Sequence, residues 1–209
     1  MFETKVKMCG ITNHEDAQKA LFYGAWAVGF VFYKKSPRYV SPSKAKKLIE
    51  GLPPFITPVG LFVNQSERAV EDICRFANIS VLQFHGDETP VYCKRFKKYK
   101  VIKAFRIRDD FDFRSLSKYK VDAYLFDAYQ ENAFGGTGKT FQWNLLKGQK
   151  FEKPVILSGG LTPENVAQAI AETSPYAVDV SSGIEQSPGI KSPKLIRAFM
   201  ESIRASAAQ

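Results

Sequence analysis

Residues 154–163 read Pro-Val-Ile-Leu-Ser-Gly-Gly-Leu-Thr-Pro, and this stretch holds one full beat of the chain. A short β-branched apolar run ends in a polar residue and two glycines, and a Thr-Pro pair then offers the chemistry of a helix start. Ala177-Val178-Asp179-Val180-Ser181, followed by Ser182-Gly183 and later by Ser192-Pro193, has the same design. Upstream, comparable runs occur at Lys5–Cys9, Ala27–Phe32, Pro58–Val63, Ser80–His85, Val101–Ile107 and Ala123–Asp127; with Pro154–Ser158 and Ala177–Ser181 they make eight. Helix-start residues stand between most of them, at Asn13, Ser41-Pro42, Ser66, Thr89-Pro90, Thr162-Pro163 and Ser192-Pro193. The intervening segments carry one apolar face, as at Val70, Ile73, Cys74 and Ala77, or at Ile196, Phe199, Met200 and Ile203.

Strand starts fall mostly about 22 residues apart, with longer gaps after the second and sixth, close to the minimum for a strand, a helix and two short loops. The alternation predicts the α/β class, as a single-domain (β/α)8 TIM barrel over residues 1–209. Phe111–Ser117 and Phe141–Leu146 are the weakest helical segments, being short and poorly periodic, and the tail Ser206–Gln209 reads as frayed. Trp26, Trp143 and the Phe-rich strands read as core.

At 209 residues, 44% hydrophobic and 24% charged, the chain can bury one sizeable core and is neither disordered nor fibrous in composition. Its first residues lack the features of a secretory signal, and no apolar run approaches the roughly 18 residues that span a bilayer. A cytoplasmic location without a membrane partner is expected. Three cysteines at irregular spacing fit neither a disulfide framework nor a zinc site. The net charge of +9 is spread along the chain, with clusters only at Lys44-Lys46-Lys47 and Lys94-Arg95-Lys97-Lys98-Lys100. These read as solvated faces, so no nucleic-acid partner is expected, while the charge suits attraction of a small anionic metabolite.

In a parallel barrel, chemistry gathers where the strands end. Cys9, His85, Asp127, Ser158-Gly159-Gly160 and Ser181-Ser182-Gly183 each end a different run. Phosphate needs close backbone approach, so Gly159 and Gly160 after the seventh strand, with Ser181, Ser182 and Gly183 after the eighth, form a candidate phosphate site; ordinary tight turns are the plainer alternative. Asp127 is out of place after Tyr124-Leu125-Phe126, and a carboxyl in a partly apolar mouth can hold its proton long enough to act as a general acid. Otherwise it caps the following loop. Cys9, close to Lys7 and a helix start, could be pushed toward the thiolate, whereas Cys74 and Cys93 read as inert. His85 is either a structural imidazole or part of the mouth, Asp179 pairs structurally or binds a substrate hydroxyl, and Arg38 could fork onto a substrate carboxylate.

Ala133-Phe134-Gly135-Gly136-Thr137-Gly138-Lys139-Thr140 nearly spells a nucleotide-binding P-loop. The preceding strand ends about six residues too early, and Phe141-Gln142-Trp143-Asn144 is a poor helix to cradle a triphosphate. A glycine-rich loop beside the site, in which Gly136 approaches the substrate, fits better.

Together, Lys7-Met8-Cys9-Gly10-Ile11-Thr12, Gly29-Phe30-Val31-Phe32, Ser36-Pro37-Arg38-Tyr39, Gln83-Phe84-His85-Gly86, Phe126-Asp127, Gly135-Gly136-Thr137-Gly138-Lys139, Ser158-Gly159-Gly160-Leu161 and Val178-Asp179-Val180-Ser181-Ser182-Gly183 resemble the phosphoribosylanthranilate isomerase family of tryptophan biosynthesis, in order and across almost the whole chain. Departures are small: Met8 where the family often has Ile, and Phe126-Asp127-Ala128 where Leu-Asp and a small hydroxyl residue are common. The resemblance implies an Amadori rearrangement of N-(5'-phosphoribosyl)anthranilate, with Asp127 as the acid that opens the furanose ring and Cys9 as the base that removes the C2 proton. It further implies Arg38 on the anthranilate carboxylate and the two glycine loops on the phosphate, with His85, Gly136 and Asp179 among the substrate contacts. One acid and one base suffice, so neither a metal nor an organic cofactor is expected. The partner is a phosphorylated small molecule, and monomer and homodimer are both compatible with the sequence. Other phosphosugar barrels use different catalytic pairs, which makes Cys9 the discriminating residue; a non-catalytic anion binder would need neither Cys9 nor Asp127.

Overall fold

A computed structural model describes residues 4–128 and 143–207. Eight parallel strands close into a barrel in chain order: β1 (Lys5–Cys9), β2 (Ala27–Val31), β3 (Thr57–Phe62), β4 (Val81–Phe84), β5 (Lys100–Ile107), β6 (Ala123–Ala128), β7 (Val155–Leu157) and β8 (Ala177–Val180), with β8 pairing back onto β1. The expected barrel is therefore present. Several strands are a residue shorter than read, so that His85, Ser158 and Ser181 stand just beyond their strands, where the backbone turns toward the loops.

Four of the helices start where side-chain oxygens accept backbone N–H groups. Asn13 caps α1 (His14–Phe22), Ser41 caps α2 (Pro42–Glu50), Ser66 caps α3 (Glu67–Ala77) and Thr89 caps α4 (Pro90–Cys93). The helix after β7, α5, spans Val166–Thr173 rather than starting at Thr162-Pro163. The Asn165 side chain accepts from Thr162 N–H and donates to the Gly160 carbonyl, folding residues 162–165 into a turn ahead of the helix. α6 (Pro193–Ala207) follows Ser192 as expected. After β5, and within the described residues after β6, the connections contain only 3₁₀ turns, Phe113–Lys118 and Trp143–Leu146, in the two segments with the weakest periodicity. One element was not foreseen: an antiparallel hairpin, β9 (Glu185–Ser187) with β10 (Ile190–Lys191), turned by Pro188 and a left-handed Gly189.

Period-two alternation divides the core. Inward residues such as Val59, Ile102, Ala104, Leu125 and Ile156 fill the barrel, while outward Met8, Phe30, Leu82, Phe84, Phe126 and Val178 pack under the surrounding elements. Trp26 departs from expectation: it is 53% exposed, because it precedes β2 at the amino-terminal rim and lies beside the Lys5 ammonium instead of entering the core. Both lysine clusters are largely solvated, with Lys44, Lys47, Lys94, Lys97, Lys98 and Lys100 exposed.

Leu82 is fully buried on the outward face of β4. We expect Leu82→Ala to lower unfolding free energy by about 2–5 kcal/mol in urea titration, and Phe22→Ala, 82% exposed, to change it by less than about 0.5 kcal/mol. Equal effects would overturn the assignment of strand faces.

Candidate active site

At the carboxyl ends of the strands lies an open cavity, lined by Cys9 from β1, Val31 from β2, Leu61 from β3, Asp127 from β6, Asp179 from β8 and, beyond the strand ends, Arg38, His85, Ser158 and Ser181. Of the sequence-derived candidates, Cys9, Arg38, His85, Asp127, Ser158, Asp179 and Ser181 line it together, whereas Gly159, Gly160, Ser182 and Gly183 are not in its lining. Gly136 and the P-loop-like stretch 133–140 lie outside the described residues.

On one side, Asp127 is buried, with Oδ2 at 2.9 Å from His85 Nε2 and Oδ1 accepting from Ala128 N–H at 2.9 Å. Gln83 Nε2 lies 2.9 Å from His85 Nδ1, so a chain of three side chains ends at the carboxyl. The loop following His85 is tied down from below. Glu88 accepts from Gly86 and Asn64 N–H groups, and the buried Lys103 ammonium reaches both Glu88 at 3.1 Å and the Gly86 carbonyl at 2.7 Å. Gly159, with φ +88°, fits for a reason beyond phosphate approach: a Cβ there would run into Ala128 N and come within 2.8 Å of Asp127 Oδ1.

The other side is built around Cys9. Lys7 Nζ pairs with Asp179 Oδ1 at 2.7 Å, both residues buried. Of the two roles open for Asp179, structural pairing is therefore realised. A Cβ at Gly29 would meet Cys9 Sγ at 2.7 Å and Lys7 Nζ at 3.1 Å, so the glycine makes room for thiol and ammonium to converge. The expected push of Cys9 toward the thiolate is not what results. Burial raises its pKa above the ordinary value, and Asp179 adds to this; the fields of Lys7 and Lys191 oppose the rise without cancelling it. Burial also works against the Lys7 charge, but the partners, Asp179 foremost, outweigh it and raise its pKa above the ordinary value.

The hairpin is bonded to the mouth through Arg38 and the Cys9 and Ser181 carbonyls. Arg38 Nε and Nη2 fork onto Glu185 at 2.9 and 2.7 Å, so the fork expected for a substrate carboxylate is made to the protein, with Nη1 outside it. Lys191, fully buried, donates to Glu185 at 2.8 Å, to the Cys9 carbonyl at 2.6 Å and to the Ser181 carbonyl at 3.1 Å. Burial lowers the Lys191 pKa; for Glu185, Arg38 and Lys191 outweigh burial and draw its carboxyl below the usual value. The two expected phosphate loops touch, since a Cβ on Gly183 would collide with the Leu161 carbonyl. Ser181 turns its hydroxyl toward the Cys9 carbonyl at 3.2 Å, and Ser182 and Gly183 open a short 3₁₀ turn. Sequence reasoning missed Gln83, Glu185 and Lys191 as parts of the site; the Pro188-Gly189 turn signal could have located the hairpin. Among the described residues, no group of three or more His, Cys, Asp or Glu side chains could hold a metal ion.

A family model described as N-(5'phosphoribosyl)anthranilate (PRA) isomerase matches residues 6–202. The chain belongs to this family. It is 50% identical over 201 residues to the N-(5'-phosphoribosyl)anthranilate isomerase of Geotalea uraniireducens, covering 95% of this chain and 97% of the relative. Among solved structures it is similar to the phosphoribosyl anthranilate isomerase of Thermotoga maritima, a dimeric protein, with TM-score 0.90 and 39% identity over 97% of this chain and 99% of the other. A family member solved with reduced 1-(o-carboxyphenylamino)-1-deoxyribulose 5-phosphate matches with TM-score 0.85 and 37% identity, covering 97% of this chain and 99% of that one.

Because burial keeps the Cys9 thiol protonated, its reaction with iodoacetamide should be slower at pH 8 than that of an exposed cysteine and should go on rising beyond pH 9. Peptide mass spectrometry follows this, and Lys7→Met should slow Cys9 further; a plateau below pH 8 would contradict the burial argument.

Proposed function

We propose that this family member catalyses the Amadori rearrangement of N-(5'-phosphoribosyl)anthranilate in tryptophan biosynthesis, with Asp127 as general acid and Cys9 as general base. The observation that carries the roles is the placement of Cys9 and Asp127 on non-adjacent strands around one cavity, each buried and each backed by its own polar network.

In this reading the proton of Asp127 goes to the furanose ring oxygen, the C1–O bond breaks, and the anthranilate nitrogen's electron pair forms the iminium. Cys9 thiolate then takes the C2 proton, leaving an enolamine that tautomerises to the ketone product. No external oxidant or reductant is involved, because oxidation at C2 balances reduction at C1. The thiol is protonated at rest, so the reacting species is its thiolate fraction. Lys7 and the cationic iminium arising beside Sγ both favour that form when it is needed. Arg38, aligned by Glu185, offers Nη1 to the anthranilate carboxylate, His85 orients the acid, and the loops at Gly159-Gly160 and Ser181–Gly183 take the phosphate; Gly136 completes the substrate contacts.

We also propose a homodimer. Trp26, Phe55 and Tyr176 precede β2, β3 and β8 and leave apolar surface on the amino-terminal rim, away from the mouth, with Phe55 92% exposed. Sedimentation should give a dimer mass at micromolar concentration and a monomer for Phe55→Asp.

Turnover is followed by loss of anthranilate fluorescence on freshly generated substrate. Folded Cys9→Ala and Asp127→Asn variants should each lose at least about a hundredfold in rate. Near-native turnover by either variant would remove that residue from the mechanism.

A further inference from the structure

We infer that Gln83 is a positioning residue for the acid: it fixes His85 in the tautomer that carries its proton on Nε2, so that the imidazole donates to Asp127. The role of this contact in the reaction rests on the assignment of Asp127 above, whereas the tautomer itself does not.

Gln83 and His85 are two residues apart, so alternation turns both side chains inward. Gln83 is fully buried, and its strand neighbours in register, Leu61 and Ile102, are apolar. Its Nε2 is the atom facing His85 Nδ1 at 2.9 Å, and among the described residues its Oε1 has no hydrogen-bond partner. An amide nitrogen can only donate, so Nδ1 must accept, and the single proton of a neutral imidazole must sit on Nε2. That nitrogen lies 2.9 Å from Asp127 Oδ2, where it meets an oxygen able to accept it.

Turning the amide through half a rotation would satisfy Oε1 but would require a proton on Nδ1. A neutral ring would then present a lone pair to Asp127, and a ring donating at both nitrogens would have to be an imidazolium. The orphaned Oε1 is thus the counterpart of holding one tautomer. When Asp127 gives up its proton, negative charge develops on a carboxylate that already has two donors in place, His85 Nε2–H on Oδ2 and Ala128 N–H on Oδ1. The wrong tautomer would place repulsion there instead, at the moment of ring opening.

The chain has two histidines, His14 and His85, so long-range ¹⁵N–¹H NMR reads each imidazole separately in the resting protein. Native His85 should show protonated Nε2 and unprotonated Nδ1 at neutral pH. Gln83→Met should mix the two tautomers and lower kcat by about tenfold or more, the scale lost when a group fixing an imidazole is removed. KM should stay within about twofold, because Gln83 is not among the residues lining the cavity. Gln83→Glu should draw the proton onto Nδ1. A native His85 protonated on Nδ1, or on both nitrogens, overturns the inference, as does an unchanged tautomer in Gln83→Met. The native spectrum decides even if a variant fails to fold. A native protein with the stated tautomer but no isomerase activity would instead overturn the functional reading.

Discussion

Lys7 and Asp179 stand in register across the seam where β8 closes on β1, their charged ends 2.7 Å apart inside the barrel. A buried ion pair of this kind contributes little net stability against a well-packed apolar replacement, yet removing one partner typically costs about 3–5 kcal/mol, since the other is left charged and unpaired. Its physical effect is to make the closing register specific. A one-residue slip of β8 against β1 would separate the charges and turn Asp179 to the outward face. With the register fixed, Cys9 and Ser181 emerge two residues further along the same strands, on the same inward face, at the mouth.

The same pair sets the electrostatics of the Cys9 thiol. Lys7 favours the Cys9 thiolate, Asp179 disfavours it, and burial tips the balance to the neutral thiol. A site that holds a latent rather than a standing thiolate is protected from adventitious oxidation and alkylation, which follow thiolate character. The hairpin extends this network sideways. Through Lys191 it binds the Cys9 and Ser181 carbonyls, and through Glu185 it aligns Arg38, so that β1, the loop after β2 and the segment after β8 are tied together. Asp127 is supported separately, by Gln83 and His85 from the side of β4 and by the close approach of Gly159 from the loop after β7. Asp127 and Cys9 therefore share a cavity without sharing a network, which lets their protonation states be set independently.

Much of this was legible in the residues. Period-two runs, helix caps and a steady spacing define the barrel, because a parallel strand and its return helix leave little freedom in length or order. Polar residues ending apolar runs identify Cys9, His85 and Asp127, because polar groups in such places need a partner or a use. The hairpin was less visible, since strands of three and two residues give almost no periodic signal. Trp26 was assigned to the core because hydrophobicity reports tendency and not position, and the rim of a barrel leaves part of an aromatic ring in water.

The sequence by itself determined the order of strands, the capping residues of most helices and which polar side chains end the strands, all of which rest on local periodicity and side-chain chemistry. Only the tertiary structure decided which groups meet: that Asp179 pairs with Lys7, that Arg38 forks onto Glu185, that Gly29 and Gly159 yield space to Cys9 and Asp127, and that the Cys9 thiol is held neutral. These outcomes depend on residues 20 to more than 170 positions apart being brought within a few ångströms. At that range burial and pairwise electrostatics, which no local pattern encodes, set distance and charge.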